Sequence, residues 1–295
     1  MKHINRRTFI RTGVTGLASL AAVAKAGTLS INPAPTVDTV KLGASGLTVS
    51  RIAMGTGSVG GNRSSNQTRL GMDNFVKLAR HAYDAGIRFY DTADSYGSVP
   101  FVGQAIKGLP RENITLLTKV WTSPDDAQLR ETVRETIDRL RREAGTDYYD
   151  IVLLHCLFQA GWTNDRKRFI NELSKAKQEG IIKAVGVSCH SYDALVEASE
   201  SPWVDVIMAR INPFQSKMDG TPESINKVLA VAKQNGKGII AMKVFGEGLN
   251  VSDSEREQSI RYILTEANAH CMTLGMETAA QMNDAATRVM KNVRS

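Results

Sequence analysis

Asp150-Ile151-Val152-Leu153-Leu154-His155-Cys156, then a helix-patterned stretch over Arg168–Glu179 closed by Gly180, then Ala184-Val185-Gly186-Val187-Ser188-Cys189: this succession decides the fold. Two short aliphatic runs flank a segment of 3.6-residue periodicity, which reads as strand, helix, strand. Such a unit requires parallel pairing through a right-handed crossover. Outward from it the pattern repeats, with further strand candidates at Arg51–Gly57, Arg88–Ala93, Ile114–Val120, Val204–Ile211, Gly238–Phe245 and Cys271–Met276. Helix patterns lie between them at Asn74–Ala85, Asp126–Glu143, Tyr192–Ser199, Pro222–Asn235, Ser254–Ala267 and Ala280–Val293, with a short one near Val102–Gly108. Gly86, Gly145, Gly180 and Gly236 fall just past helix ends, where a left-handed cap favours glycine. Eight units over about 230 residues predict an α/β chain folded as a closed (β/α)8 TIM barrel across residues 40–295. An open doubly wound sheet is the structural alternative, but no G-x-G-x-x-G opens a helix after any strand. Ahead of the first strand, Val40–Val49 places two apolar arms around a Gly/Ser turn, a hairpin expected to close the barrel floor.

Composition narrows the function classes. The 295 residues are 42% hydrophobic and 23% charged, without a low-complexity tract, which excludes a disordered, collagenous or polytopic membrane chain. Cys156, Cys189 and Cys271 lack C-x-x-C spacing and read as free thiols. The net charge of +7 suggests a nucleic-acid partner until the charges are located. Lys2, Arg6, Arg7, Arg11 and Lys25 account for five of the 37 basic residues, and setting them aside leaves 32 against 30 acidic ones. No nucleic-acid partner is expected from so balanced a remainder.

Asn5-Arg6-Arg7-Thr8-Phe9-Ile10-Arg11, followed by a mildly apolar stretch from Thr12 to Ala24, resembles a twin-arginine export signal with a cut after Ala26. The apolar run is too short and Gly-rich to span a bilayer stably. The reading is a signal at 1–26, a linker at 27–39 with Pro33 and Pro35, and a barrel from 40 onward. It implies the twin-arginine machinery as partner and a periplasmic location. The competing reading is an unprocessed N-terminal arm.

Chemistry in such a barrel belongs at the C-terminal strand ends. There stand Asp91, with Tyr96 in the loop that follows, Lys119 and His155. Phe89/Asp91, Leu117/Lys119 and Leu153/His155 are each two apart and share a face, so four polar groups converge on one mouth. Taken singly, Asp91 and Lys119 read equally as a rim ion pair, Tyr96 as a packed loop aromatic and His155 as a core histidine. One His, one Asp and a Lys do not make a metal-ligand set, so no metal is expected.

Gly86-Ile87-Arg88-Phe89-Tyr90-Asp91-Thr92-Ala93-Asp94-Ser95-Tyr96-Gly97, then Leu116-Leu117-Thr118-Lys119-Val120-Trp121, then Asp150–His155, closely resembles the aldo-keto reductase family. Leu42-Gly43-Ala44-Ser45-Gly46-Leu47-Thr48-Val49-Ser50 and Gly186-Val187-Ser188 extend the likeness over essentially the whole chain after the leader. The resemblance implies reduction of an aldehyde or ketone by hydride from a nicotinamide cofactor. Tyr96 would be the general acid, Lys119 would lower its pKa, Asp91 would hold Lys119, and His155 would orient the carbonyl oxygen. Physically, an ordinary tyrosine titrates near ~10 and an adjacent ammonium favours its phenolate.

The resemblance also maps a cofactor site. Ser188 matches the residue that binds the nicotinamide carboxamide, with Cys189 and Met208 where Asn and Gln are usual. Met242 occupies the region of the stacking aromatic. Phe245, Gly246 and Gly248, with Gly275, would border the pyrophosphate. Gln281 stands where Arg is common, and Glu277 would repel a 2′-phosphate; family habit nevertheless favours NADP(H) over NAD(H). Trp121, Phe158, Trp162 and Phe214 are the expected walls of the substrate pocket for a small carbonyl compound. Two rivals remain at this stage: an exported barrel that retains nucleotide and turns over little, and an oxidoreductase with a nonexchanging cofactor.

Overall fold

The eight apolar runs become eight parallel strands closed into a ring, and the alternation of their side chains builds two cores. The structure, a computed structural model, describes residues 36–122 and 131–293. The leader at 1–26, most of the linker at 27–39 and the first residues of the helix expected from Asp126 lie outside the described residues.

An antiparallel hairpin, β1 (Thr39–Lys41) and β2 (Thr48–Ser50), precedes the barrel. Then come β3 (Ile52–Gly55), α1 (Asn66–Arg69), α2 (Met72–Asp84), β4 (Phe89–Asp91), α3 (Val99–Ile106), β5 (Thr115–Trp121), α4 (Val133–Ala144) and β6 (Tyr149–Leu157). The second half holds α5 (Trp162–Asp165), α6 (Lys167–Gln178), β7 (Ile182–Cys189), α7 (Tyr192–Glu200), β8 (Val206–Arg210) and α8 (Pro222–Gln234). It ends with β9 (Gly238–Met242), α9 (Asp253–Thr265), β10 (Cys271–Gly275) and α10 (Ala279–Val293). The ring runs β10-β3-β4-β5-β6-β7-β8-β9, each neighbour parallel, so the closed barrel and not the open sheet is the fold.

Side-chain alternation explains the closure. Phe89, Leu117, Ile151, Leu153, Ala184 and Met208 pack together inside the ring. Their neighbours Tyr90, Leu116, Val152, Leu154, Val185 and Ile207 pack outward against the helices. Several bounds move for local reasons. Helix α3 starts at Val99, ahead of the expected Val102, because Pro100 is preset for a first helical turn. Helix α4 starts at Val133 behind a capping box made by Thr132 and Glu135. Strand β9 stops at Met242 because Lys243 takes a left-handed backbone, φ +58°.

The hairpin does close the floor. Leu42 is fully buried and packs with Val49 against the inner layer, a burial worth about 1.5–3 kcal/mol. Gly43 permits the approach, since a Cβ there would lie 2.5 Å from the Gly238 nitrogen. Ala44 N–H donates to the Gly236 carbonyl at 2.8 Å and fixes the turn. Among the described residues no helix is long and apolar enough to cross a membrane, and no cluster of His, Cys, Asp and Glu has metal-binding geometry.

Candidate active site

Parity brings Asp91, Lys119 and His155 to the inner face at the C-terminal ends of β4, β5 and β6, and a 3-10 turn over Asp94–Tyr96 delivers the fourth group. Lys119, 1% exposed, forms an ion pair with Asp91 Oδ1 and donates to the Thr92 carbonyl at 3.0 Å. Its Nζ lies 4.9 Å from the Tyr96 ring centroid. The Tyr96 hydroxyl is 3.4 Å from His155 Nε2, and the two rings meet edge to face at 5.5 Å. The expected four groups are therefore assembled.

The surroundings show how the sequence holds them there. Thr56 donates from both its N–H and its hydroxyl to the Asp91 carbonyl, at 3.1 and 2.8 Å, and pins the end of β4. Gly57 makes a bed for Tyr96: a Cβ there would lie 2.3 Å from ring carbon Cε2. Strand β6 carries a bulge between Leu154 and Leu157, with Cys156 at φ +61°. Parity with Leu153 sets His155 on the inner face, and the extra residue returns Leu157 outward.

The electrostatics depart from expectation in one respect. Burial pushes the Tyr96 phenol above its ordinary value; Lys119 pulls it down and Asp91 pushes it up, and the net direction is upward. The lysine acts with the expected sign, yet desolvation outweighs it. Burial also works against the Lys119 ammonium, but Asp91 and then Tyr96 outweigh it and hold the lysine charged. His155 is driven well below its ordinary value by burial, then by Lys119, so it is a neutral imidazole. Its Nδ1 has no hydrogen-bond partner among the described residues.

A cavity of about 300 Å³ opens beside Tyr96. Of the residues expected at a cofactor site, Met208, Met242, Phe245, Gly248, Gly275 and Gln281 line it. Ser188, which pairs in register with Met208, is fully buried, and its Oγ has no partner among the described residues. A buried hydroxyl without a partner costs about 1–3 kcal/mol, so it fits a site completed by an amide-bearing ligand. Cys189 is a correction. Its side chain belongs to the outer core facing the helices, because the residue after an inward Ser188 must point outward. Gly246 is another: it is closed off by Ser216 and Asn250, whose side-chain atoms a Cβ would meet at 2.6 and 2.5 Å. Its glycine serves loop packing.

The substrate walls fare unevenly. Trp121 is half exposed and stands edge-on to His155 at 6.0 Å. Phe158, 61% exposed, leans on His190 at 5.5 Å. Trp162 is no wall: it is 1% exposed, donates from Nε1 to the Ala194 carbonyl at 3.3 Å and packs near Trp203. Phe214 does not line the cavity and sits in a turn built by Asn212, whose Oδ1 accepts from its N–H at 3.0 Å.

Several residues and contacts went unread in the sequence. Thr273 donates to Asp91 Oδ2 at 2.8 Å; its inward parity with Cys271 was the available signal. Lys243 and Glu247 form an ion pair on the cavity wall. Asn66 donates to Glu277 Oε1 at 2.6 Å, and Gln281 Oε1 accepts from the N–H groups of Glu277 and Thr278 at 2.7 and 3.3 Å. His190 accompanies the Cys156 thiol at 3.7 Å and is pushed down to about 4 by burial, then by Arg210.

Comparison with known proteins gives a consistent picture. The profile of the Aldo/keto reductase family matches residues 51–292. The chain is 28% identical over 228 residues to an NADH-specific methylglyoxal reductase of Escherichia coli, covering 71% of this chain and 68% of that one. It is 27% identical over 248 residues to a D-threo-aldose 1-dehydrogenase of a Pseudomonas species, covering 74% and 72%. Among solved structures, an aldo-keto reductase of Pseudomonas aeruginosa superposes with a TM-score of 0.72 at 20% identity, over 88% of this chain and 98% of that one. A holo aldo-keto reductase of Bacillus halodurans gives 0.64 at 23% identity, over 86% and 90%.

Proposed function

This chain belongs to the aldo/keto reductase family, and from that premise we propose that it reduces a small aldehyde or ketone to the alcohol with Tyr96 as the general acid. The observation that carries the reading is the contact of the Tyr96 hydroxyl with a neutral His155 above the buried Lys119–Asp91 pair. A bound nicotinamide dinucleotide supplies the hydride. Ser188 would take the carboxamide, Met208 and Met242 would pack on the ring, and Gly248 and Gly275 would leave room for the phosphates. His155 positions the carbonyl oxygen beside the phenol. Tyr96 hands its proton to that oxygen, and Lys119, kept in place by Asp91, steadies the phenolate that remains.

Of the two dinucleotides, NADP(H) is the first reading by family habit. Glu277 supports NAD(H) as the second: its carboxylate lines the cavity and would repel a 2′-phosphate, while the Lys243 ammonium of the same cavity is already paired with Glu247. One relative bears an NADH-specific name. Export through the twin-arginine route to the periplasm completes the proposal, on the strength of Arg6-Arg7 and the segment behind it. Cell fractionation of the full chain and of an Arg6→Lys/Arg7→Lys variant tests that part.

The central test is direct. The purified protein is assayed for copurifying nicotinamide absorbance, for Kd values of NADH and NADPH, and for bleaching of either by an aldehyde panel. Tyr96→Phe is expected to abolish reduction and keep nucleotide binding. Equal activity in that variant removes Tyr96 as the acid, and bound nucleotide that no carbonyl bleaches leaves a nucleotide-retaining barrel.

A further inference from the structure

We propose that Thr273 is a positioning residue of the proton donor: its hydroxyl fixes the Asp91 carboxylate, which fixes Lys119 beneath Tyr96. The inference rests on the function proposed above and concerns a residue outside the expected four. Asp91 is 5% exposed and has two carboxylate oxygens to satisfy. Lys119 occupies Oδ1, and Thr273 Oγ1 donates to Oδ2 at 2.8 Å. Without Thr273 the carboxylate would be tethered at one oxygen only and free to turn about its terminal bond, which is soft. The Lys119 ammonium would follow, held then by the Thr92 carbonyl at 3.0 Å and by Tyr96 itself.

The contact crosses a whole strand. Thr273 is on β10 and Asp91 on β4, with β3 between them in the ring. Gly55, paired with Asp91 on one side and Gly275 on the other, leaves the gap: a Cβ there would lie 2.9 Å from Thr273 Oγ1. Valine at 273 would keep the branched shape and lose the donor, whereas serine would keep the donor and lose the methyl.

The ionisable groups around the phenol are Asp91 from β4, Lys119 from β5, and Cys156 from β6, which all bear on Tyr96. Lys243 after β9 bears on His155 from β6, and Cys271 on β10 senses Asp91. Thr273 carries no charge, so its substitution acts on the phenol through the Asp91–Lys119 pair. A less firmly held ammonium lets the Tyr96 pKa rise. Reduction needs the phenol protonated and is lost as pH rises through that pKa, so its alkaline limb moves upward. Alcohol oxidation needs the phenolate and weakens at neutral pH.

The experiment measures reduction of 4-nitrobenzaldehyde and oxidation of the corresponding alcohol against pH, with each of NADH and NADPH, for wild type, Thr273→Val, Thr273→Ser and Tyr96→Phe. For Thr273→Val the expected result is an alkaline limb raised by about one unit, and neutral-pH oxidation lowered by about tenfold. Thr273→Ser is expected to restore the wild-type midpoint. A Thr273→Val profile with an unmoved midpoint overturns the proposal whatever its rate. So does a Thr273→Ser profile displaced as far as valine's, which would mark a packing role. If Tyr96→Phe is inactive while valine leaves the midpoint in place, only the role of Thr273 falls. If Tyr96→Phe reduces the aldehyde at the wild-type rate, the acid assignment falls and takes this inference with it.

Discussion

Replacing Asp91 with asparagine strips a buried ammonium of its counter-charge, and the structure sets the size and pH dependence of the result. Lys119 is 1% exposed and Asp91 5%, so water does little to compensate. Breaking a buried pair by removing one partner typically costs about 3–5 kcal/mol. For a domain of this size, one kcal/mol moves the melting point by about 2–4 °C, so Asp91→Asn is expected to melt roughly 6–20 °C below wild type. The sign of the pH dependence follows from the lysine. In the wild type its folded pKa lies above the ordinary value, so its contribution is complete below the unfolded pKa and is lost only as pH climbs through the folded one. In the variant the Asp91 charge is gone, Tyr96 is left to oppose burial, and the folded pKa drops below the unfolded value. The unfolded chain then binds more protons, and stability rises with pH across that window. Urea melts at several pH values on either side of neutrality read both effects. A second arm closes the argument: Lys119→Met should be damaged alone, while Asp91→Asn combined with Lys119→Met should recover much of the loss, because no unpaired charge remains. A double variant as unstable as the two single losses added together, or an Asp91→Asn curve parallel to wild type within about 1 kcal/mol, would refute the buried-pair account.

Two further outcomes follow from contacts elsewhere. Gly57→Ala places a methyl 2.3 Å from the Tyr96 ring, so the ring must shift; reduction of an aldehyde probe is expected to fall about 100-fold, with a melting point close to wild type, and retained activity would show that the bed under Tyr96 is pliant. Leu42→Ala empties the barrel floor, far from the mouth; it is expected to cost about 2–5 kcal/mol in a urea melt while kcat at low temperature is kept.

Much of this molecule was legible before its coordinates. Most barrel strands announced themselves as β-branched or aliphatic runs, and two-residue parity put Asp91, Lys119 and His155 on one face. The same parity argues against Cys189: if Ser188 faces inward its neighbour cannot, and the likeness to relatives obscured that rule. Trp162 illustrates a different limit. A lone aromatic opening a four-residue helix has no periodic partner in the sequence, so nothing local distinguishes a pocket wall from a side chain plugged against α7. Gly246 was read as space for a ligand, although a left-handed turn packed on Ser216 and Asn250 needs glycine just as strictly. The sign of Lys119's effect on Tyr96 followed from charge alone. Its defeat by desolvation did not, since burial is a sum over the whole fold. Thr273 was missed because its partner is 182 residues away.

That separation ties competence to completion of the chain. Asp91 belongs to the second strand of the ring and Thr273 to its last, so the carboxylate acquires both donors only when the terminal strand has seated against the first. A polypeptide still emerging from the ribosome, or clipped before β10, holds the tyrosine, the lysine and the histidine in full, yet has no finished clasp. Turnover in such a molecule would therefore report on the seam of the cylinder itself, and a catalytic assay becomes a gauge of whether the last staves have met.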